Sequence, residues 1–125
     1  MNFHHLFNLL RVNNYIKNLI IFFPLFLNYS YWNFENYLNL FLPFIFFSLL
    51  TSSIYIINDL FDIKADKIHK HKKFRPIPSG IIKPKLAIFL ACILAIISFI
   101  FFYFYSEPKV LLLVLSYFII NLLYS

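Results

Sequence analysis

The sequence has one glycine, one cysteine and five acidic residues in 125. Each scarcity removes a class of protein. A lone cysteine, Cys92, closes no internal disulfide, and its apolar surroundings predict a buried thiol. Charged residues make up 13% of the chain and hydrophobic ones 62%. A soluble domain of this length has too little interior to hide so much apolar surface, which leaves lipid or a larger assembly to cover it. Phe-rich stretches without glycine loops between them exclude a membrane barrel, which needs alternating strands of about ten residues. The first ten residues lack the basic-then-apolar order of a secretory leader, and no small-residue cleavage site follows. No internal repeat or linker breaks the pattern.

What is abundant is uncharged, aromatic-rich chain. Charges separate four such stretches, Asn18–Phe34, Asn36–Asn58, Leu86–Ser106 and Val110–Ser125, of 17, 23, 21 and 16 residues. A spanning helix needs roughly 20 apolar residues. The second and third meet that directly, and the first reaches it by borrowing residues upstream of Lys17. The fourth is still strongly apolar at Ser125, so the chain is expected to be the N-terminal part of a longer membrane domain. The expected fold class is therefore all-α, a polytopic membrane helix bundle with about four spans within residues 1–125. Pro24 and Pro43 fall inside predicted helices, which membrane bundles tolerate where neighbours satisfy the freed carbonyl.

The net charge of +6 is unevenly placed. Lys64, Lys67, Lys70, Lys72, Lys73, Arg75, Lys83 and Lys85 crowd one loop, and Arg11 and Lys17 precede the first span. The turn near Glu35 has no Lys or Arg, and the one near Pro108 has Lys109 alone. The positive-inside rule then puts the N-terminus and the central loop in the cytoplasm of a cell (inner) membrane. Trp32, Tyr29 and Tyr31 read as an outer interfacial belt. A basic loop between two spans is a poor nucleic-acid site. Pro76, Pro78 and Gly80 mark a turn in that loop, with a positive φ or a close approach expected at the one glycine.

The candidate chemistry lies where the second span meets the basic loop. Asn58-Asp59-Leu60-Phe61-Asp62-Ile63-Lys64-Ala65-Asp66 places Asp59, Asp62 and Asp66 at i, i+3 and i+7, one face of a helix. Three carboxylates so close repel one another, and a cation relieves the repulsion. Mg²⁺ prefers a few carboxylates plus phosphate oxygens to an all-protein cage, so such a face suits a metal-diphosphate. The plain alternative is a solvated acidic helix end paired with Lys64 and Lys67. Behind Asp59, Ser48, Ser52 and Tyr55 continue a polar stripe expected to face the bundle interior. Arg11, Asn14 and Asn18 repeat the same spacing, with Lys17 on the same broad arc, as cationic and amide partners for a diphosphate; the alternative is membrane-surface anchoring. Lys72 and Arg75 are further candidates, Arg75 for bidentate phosphate recognition. His69 and His71 read as ordinary loop histidines, not ligands.

These residues resemble the UbiA-type prenyltransferase superfamily, whose first signature is N-D-x-x-D-x-x-x-D followed by R-P-x-x-x-G. Here that is Asn58–Asp66, then Arg75-Pro76-Ile77-Pro78-Ser79-Gly80. Arg11-Val12-Asn13-Asn14-Tyr15-Ile16-Lys17-Asn18 is similar to the R-x-x-Q-W-x-K-N opening of the decaprenyl-phosphate phosphoribosyltransferase group, with Asn14 for Gln and Tyr15 for Trp. Lys72-Lys73-Phe74-Arg75-Pro76-Ile77 is similar to its K-R-F-R-P-I segment.

The resemblance implies about nine membrane helices in a whole enzyme, with a second polar motif in its C-terminal half. It implies transfer of 5-phosphoribose from phosphoribosyl diphosphate to a polyprenyl phosphate, with Mg²⁺ (or Mn²⁺) held by Asp59, Asp62 and Asp66. Asp59 and Asp62 would carry the catalysis, and Arg11, Asn14, Lys17, Asn18, Asn58, Lys72 and Arg75 would bind substrate. The polar stripe would admit the isoprenoid tail. A quinone-type or aromatic prenyltransferase using a polyprenyl diphosphate is the nearest alternative, and a non-catalytic membrane fragment the alternative from another class.

Overall fold

A computed structural model describes residues 3–23 and 34–124. Pro24, the Tyr29–Tyr31–Trp32 belt, the end of the first predicted span and Ser125 lie outside the described residues. Within them the chain is helical. Helix α1 runs Phe3–Leu10, and Arg11 stops it by adopting a left-handed conformation, φ 50° and ψ 45°. A 3₁₀ turn (Val12–Asn14), the short helix α2 (Tyr15–Asn18) and a second 3₁₀ turn (Leu19–Phe22) follow. The first predicted span is thus not one continuous α-helix over its described part. Over this stretch Tyr15 and Asn18 turn their polar groups to the neighbouring helix.

Helix α3, Phe34–Phe61, carries Pro43 in its interior, as expected from the sequence. Its 28 residues extend about 42 Å at the α-helical rise, enough to cross a hydrocarbon core of about 30 Å. The helix breaks at Asp62 (φ −87°, ψ 4°) and resumes as α4, Ile63–Ile68. A 3₁₀ turn at Lys72–Phe74 leads to Arg75, which is extended as the residue before a proline must be. The turn then closes through Ser79 N to Arg75 O at 3.0 Å, and Ile82 N to Pro76 O at 2.9 Å. Gly80 sits at φ 80° with no atom within 4 Å of where a Cβ would stand. Of the two roles expected for it, the positive φ is the one present. Helix α5, Pro84–Tyr105, starts on a proline preceded by an extended Lys83, and α6, Pro108–Tyr124, follows a two-residue link.

Helix α3 is the centre, packed against α5 along most of its length and also against α1 and α6. Buried Ala87, Ala91 and Ser98 run down one face of α5. Small residues let two helix backbones approach closely in lipid, and Ser98 Oγ donates across the interface to the Phe46 carbonyl at 2.9 Å. Away from the Asp motif, Leu50, Phe101, Phe102 and Val114 form the core, with Phe46 and Phe101 stacked face to face. Near the motif, Leu9, Ile56, Ile77 and Ile82 pack with the two alanines.

Among the described residues two helices are long and apolar enough to cross a membrane: Glu35–Phe61, mean hydropathy 2.1, and Pro84–Tyr105, mean hydropathy 2.8. Pro108–Tyr124 is a shorter apolar helix. Their outer faces carry Ile96, Ile100, Phe104, Leu112, Leu113 and Ile120, all exposed. So wide an apolar surface suits lipid and not water. Cys92 also lies on the exposed surface of α5, not buried as its apolar neighbours predicted. An apolar run buries only one side of a helix in protein, and the other side is left for lipid. The architecture is a membrane helix bundle, all-α as read from the sequence.

Candidate active site

The end of α3 collects charges from three separate segments. Asp59, in its last turn, is 3% exposed, and Asp66 on α4 is 2% exposed. A carboxylate so deeply buried needs a counter-charge. Arg75 Nη1 supplies it to both, donating to Asp59 Oδ1 at 3.0 Å and to Asp66 Oδ2 at 2.8 Å. Arg11 donates a second charge-assisted bond to Asp59 Oδ1. Lys72 Nζ stands 3.6 Å from Asp66 Oδ1. Arg11 also lies over the Tyr55 ring, 4.7 Å from its centroid, at cation–π distance. Its left-handed backbone costs about 1–2 kcal/mol in a non-glycine residue, a strain held in place by the ion pair and the aromatic platform.

Asp62 does not join the pair. It is exposed, sitting on the break between α3 and α4. Among the described residues no three of His, Cys, Asp and Glu come together as a metal-binding cluster. The three-carboxylate face expected from i, i+3, i+7 spacing is therefore a pair plus an outlying acid: i→i−4 backbone bonds pass through Asp62 and keep Asp59 and Asp66, two turns apart, on one face, while Asp62 sits to the side in solvent. Lys64 and Lys67, the partners expected of an ordinary acidic helix end, are exposed and make none of the ion pairs. The acids are satisfied from across the fold instead.

Beside the pair lies a cleft of about 370 Å³, lined by Arg11, Asn14, Asp59 and Arg75 among the expected residues. Asn8, Asn13, His71 and Phe74 complete much of its wall. Sequence reasoning gave these four no role at the site: Asn13 and Phe74 fell inside the matched stretches, His71 read as an ordinary loop histidine, and nothing singled out Asn8. Asn58 is half-buried, its carbonyl accepting from Asp62 N at 3.0 Å. Lys17 and Lys72 are not in the cleft wall: Lys17 is exposed, and Lys72 stays at the Asp66 edge.

Asn18 is not at the site either. It is buried deeper along α3, where its Nδ2 donates to Ser48 Oγ at 3.0 Å and Thr51 Oγ1 at 3.1 Å. One turn nearer the acids, the Tyr15 hydroxyl bonds Ser52 Oγ at 2.8 Å, and Ser52 Oγ donates to the Leu10 carbonyl at 2.6 Å. The stripe does face the interior, as expected. Tyr15 and Asn18 pack across it, their polar groups bonded to Ser52, Ser48 and Thr51.

Residues 19–125 match the UbiA prenyltransferase family. The chain belongs to that family. It is 43% identical over 84 residues to an uncharacterised protein of Sinorhizobium fredii, covering 67% of this chain and 16% of that protein. It is 46% identical over 57 residues to a decaprenyl-phosphate phosphoribosyltransferase of Mycolicibacterium smegmatis, covering 46% of this chain and 18% of the relative. It is 37% identical over 94 residues to a digeranylgeranylglyceryl phosphate synthase of Sulfurisphaera tokodaii, covering 75% of this chain and 33% of the relative. The matched stretches span a third or less of these curated relatives.

In this UbiA chain the charge arrangement also bears on a metal. Arg75 Nη1, a positive centre, lies within 3.0 Å of oxygens from two carboxylates. That is a position where a cation is held by hard oxygen donors, and the donor set fits Mg²⁺ or Mn²⁺ in kind. His69 offers nothing comparable, since its Nδ1 accepts from the backbone N–H groups of His71 and Lys72 at 3.2 and 3.3 Å.

Proposed function

We propose that this chain provides the donor-binding half-site of a transferase moving 5-phosphoribose from phosphoribosyl diphosphate to a polyprenyl phosphate. The observation that carries the reading is the cleft itself. Two arginines and two asparagines from the Arg11–Asn18 segment and the Arg75 turn line it next to Asp59. Both segments carry the resemblance to the phosphoribosyltransferase group, and the Mycolicibacterium smegmatis relative bears that name. Guanidinium groups suit phosphate oxygens, and amides suit sugar hydroxyls.

In this reading Asp59 and Asp66 would hold the divalent ion, with Asp62 as an exposed third carboxylate at the helix joint. The ion, when bound, neutralises the leaving diphosphate. Arg11 and Arg75 add positive charge where negative charge gathers on that group. Neither aspartate moves a proton. The acceptor phosphate is already anionic and attacks the sugar carbon as its bond to diphosphate breaks, through an oxocarbenium-like state.

The UbiA description and the Sulfurisphaera tokodaii synthase favour a second reading, prenyl transfer from a polyprenyl diphosphate. Membranes carrying the protein, supplied in turn with radiolabelled phosphoribosyl diphosphate and labelled polyprenyl diphosphate, distinguish the two. Label passing from the sugar donor into lipid supports the first reading. Label passing only from the prenyl donor replaces it with the second.

We place the Asp end of the bundle at the cytoplasmic face of the cell (inner) membrane, on the strength of eight basic residues between Lys64 and Lys85. With Cys92 changed to Ser, a cysteine at Ser79 should resist an impermeant thiol reagent in intact cells, and one at Glu107 should react. The reverse labelling would put the site outside.

A further inference from the structure

The two buried carboxylates already hold cations. Around Asp59 and Asp66 stand Arg11, Arg75 and Lys72, three positive groups against two negative ones. A bare divalent ion arriving between them meets two carboxylates already paired with cations, while the one acid outside these ion pairs, Asp62, lies exposed at the helix joint. To bind, it must displace Arg75 Nη1 from between Asp59 Oδ1 and Asp66 Oδ2. Moving the guanidinium off both carboxylates leaves it with solvent alone and no anion in their place.

A diphosphate changes that balance. Its oxygens match the planar guanidinium fork, and Arg75, at 30% side-chain exposure, is the member of the pair with room to turn. Arg75 also borders the cleft where such an anion would sit. We infer that Arg75 is the resident cation of the Asp59–Asp66 pair in the metal-free protein, and that the pair accepts a divalent ion only together with a diphosphate, which takes Arg75 over. Metal and diphosphate then bind as one unit, in no separable order with metal first. This rests on the metal-diphosphate reading of the site. It adds that one side chain excludes metal alone and recruits metal with its anion.

The test is equilibrium dialysis of Mn²⁺ against purified protein in lipid nanodiscs, with and without inorganic diphosphate, counting protein-bound metal and needing no turnover. Wild type should retain Mn²⁺ at least about tenfold more tightly with diphosphate than without. Arg75→Gln, which removes the resident charge, should bind Mn²⁺ alone about tenfold more tightly than wild type and lose most of the gain from diphosphate. Arg75→Lys keeps a cation at the pair, so Mn²⁺ alone should still bind weakly; it serves if the Gln variant does not fold. Asp59→Asn should abolish retention in every condition. Tight binding of Mn²⁺ alone to wild type, or to the Lys variant without any effect of diphosphate, overturns the inference and leaves the metal site standing. Failure of wild type to retain Mn²⁺ even with diphosphate overturns the metal-diphosphate reading as well.

Discussion

Asp59→Asn should lower donor turnover by about a hundredfold or more while the protein stays folded in the membrane. The substitution keeps the size of the side chain and an oxygen able to accept from Arg11 and Arg75, the two partners of Asp59 Oδ1. Both arginines are partly exposed, 21% and 30%, so their charge is still met by water when the carboxylate is gone. Stability therefore changes little. On the proposed reading, what disappears is a hard anionic donor at the diphosphate. Every ~1.4 kcal/mol lost from transition-state stabilisation is tenfold in rate, and a missing metal contact is worth several kcal/mol. Asp66→Asn should fall in the same range, because Asp66 is as buried as Asp59 and tied to the same Arg75 nitrogen. From spacing alone Asp66, two turns on, would be the milder site. Asp62→Asn, at an exposed joint, should be the mildest of the three. The measurement is turnover against Mg²⁺ concentration for wild type and each variant, with a chelator control. An Asp59→Asn protein within a few-fold of wild type, or full activity in chelator, would leave the acidic face purely structural.

A double change, Arg11→Ala with Arg75→Ala, should destabilise the protein by more than the sum of the single changes. Either arginine alone leaves Asp59 one cationic partner. Without both, a carboxylate that is 3% exposed has none. An uncompensated buried charge costs about 3–5 kcal/mol, a large share of the 5–15 kcal/mol by which a typical domain is stable. Adding Asp59→Asn to the double variant removes the charge at fault and should restore most of the loss. Thermal unfolding in detergent, followed by circular dichroism across the five proteins, reads out the coupling. Strict additivity, or no rescue by the asparagine, would mean that Asp59 finds its counter-charge elsewhere.

Much of the candidate site was legible because it is local. The Asp59–Asp66 run, the Arg75-Pro76 turn and the Gly80 bend each occupy one short stretch, and the residue types carry their own conformational rules: extended before proline, positive φ at glycine. The polar stripe of Ser48, Ser52 and Tyr55 was legible as well, because helical spacing put it on one side of an apolar helix. The partners were not. That Asn18 satisfies Ser48 and Thr51, and that Tyr15 meets Ser52, depends on where a broken first segment lies against α3. Lys17, one residue away from Asn18, was read as its equal and ends up outside the cleft wall. Neighbouring positions on a short, irregular segment point in different directions, so arcs counted for a regular helix misplace them.

The sequence by itself determined the membrane class, the helical content, the positions of two long spans and the family, because hydrophobic runs and short ordered motifs are properties of contiguous residues. Only the tertiary structure decided which charges meet. Arg11, Asp59 and Arg75 are separated by 48 and 16 residues in the chain, and no periodicity relates positions that far apart. Their meeting follows from the left-handed stop at Arg11 and the turn that returns the chain at Arg75. Burial then makes the pairing obligatory, since an unpaired carboxylate at that depth is too costly to leave uncompensated.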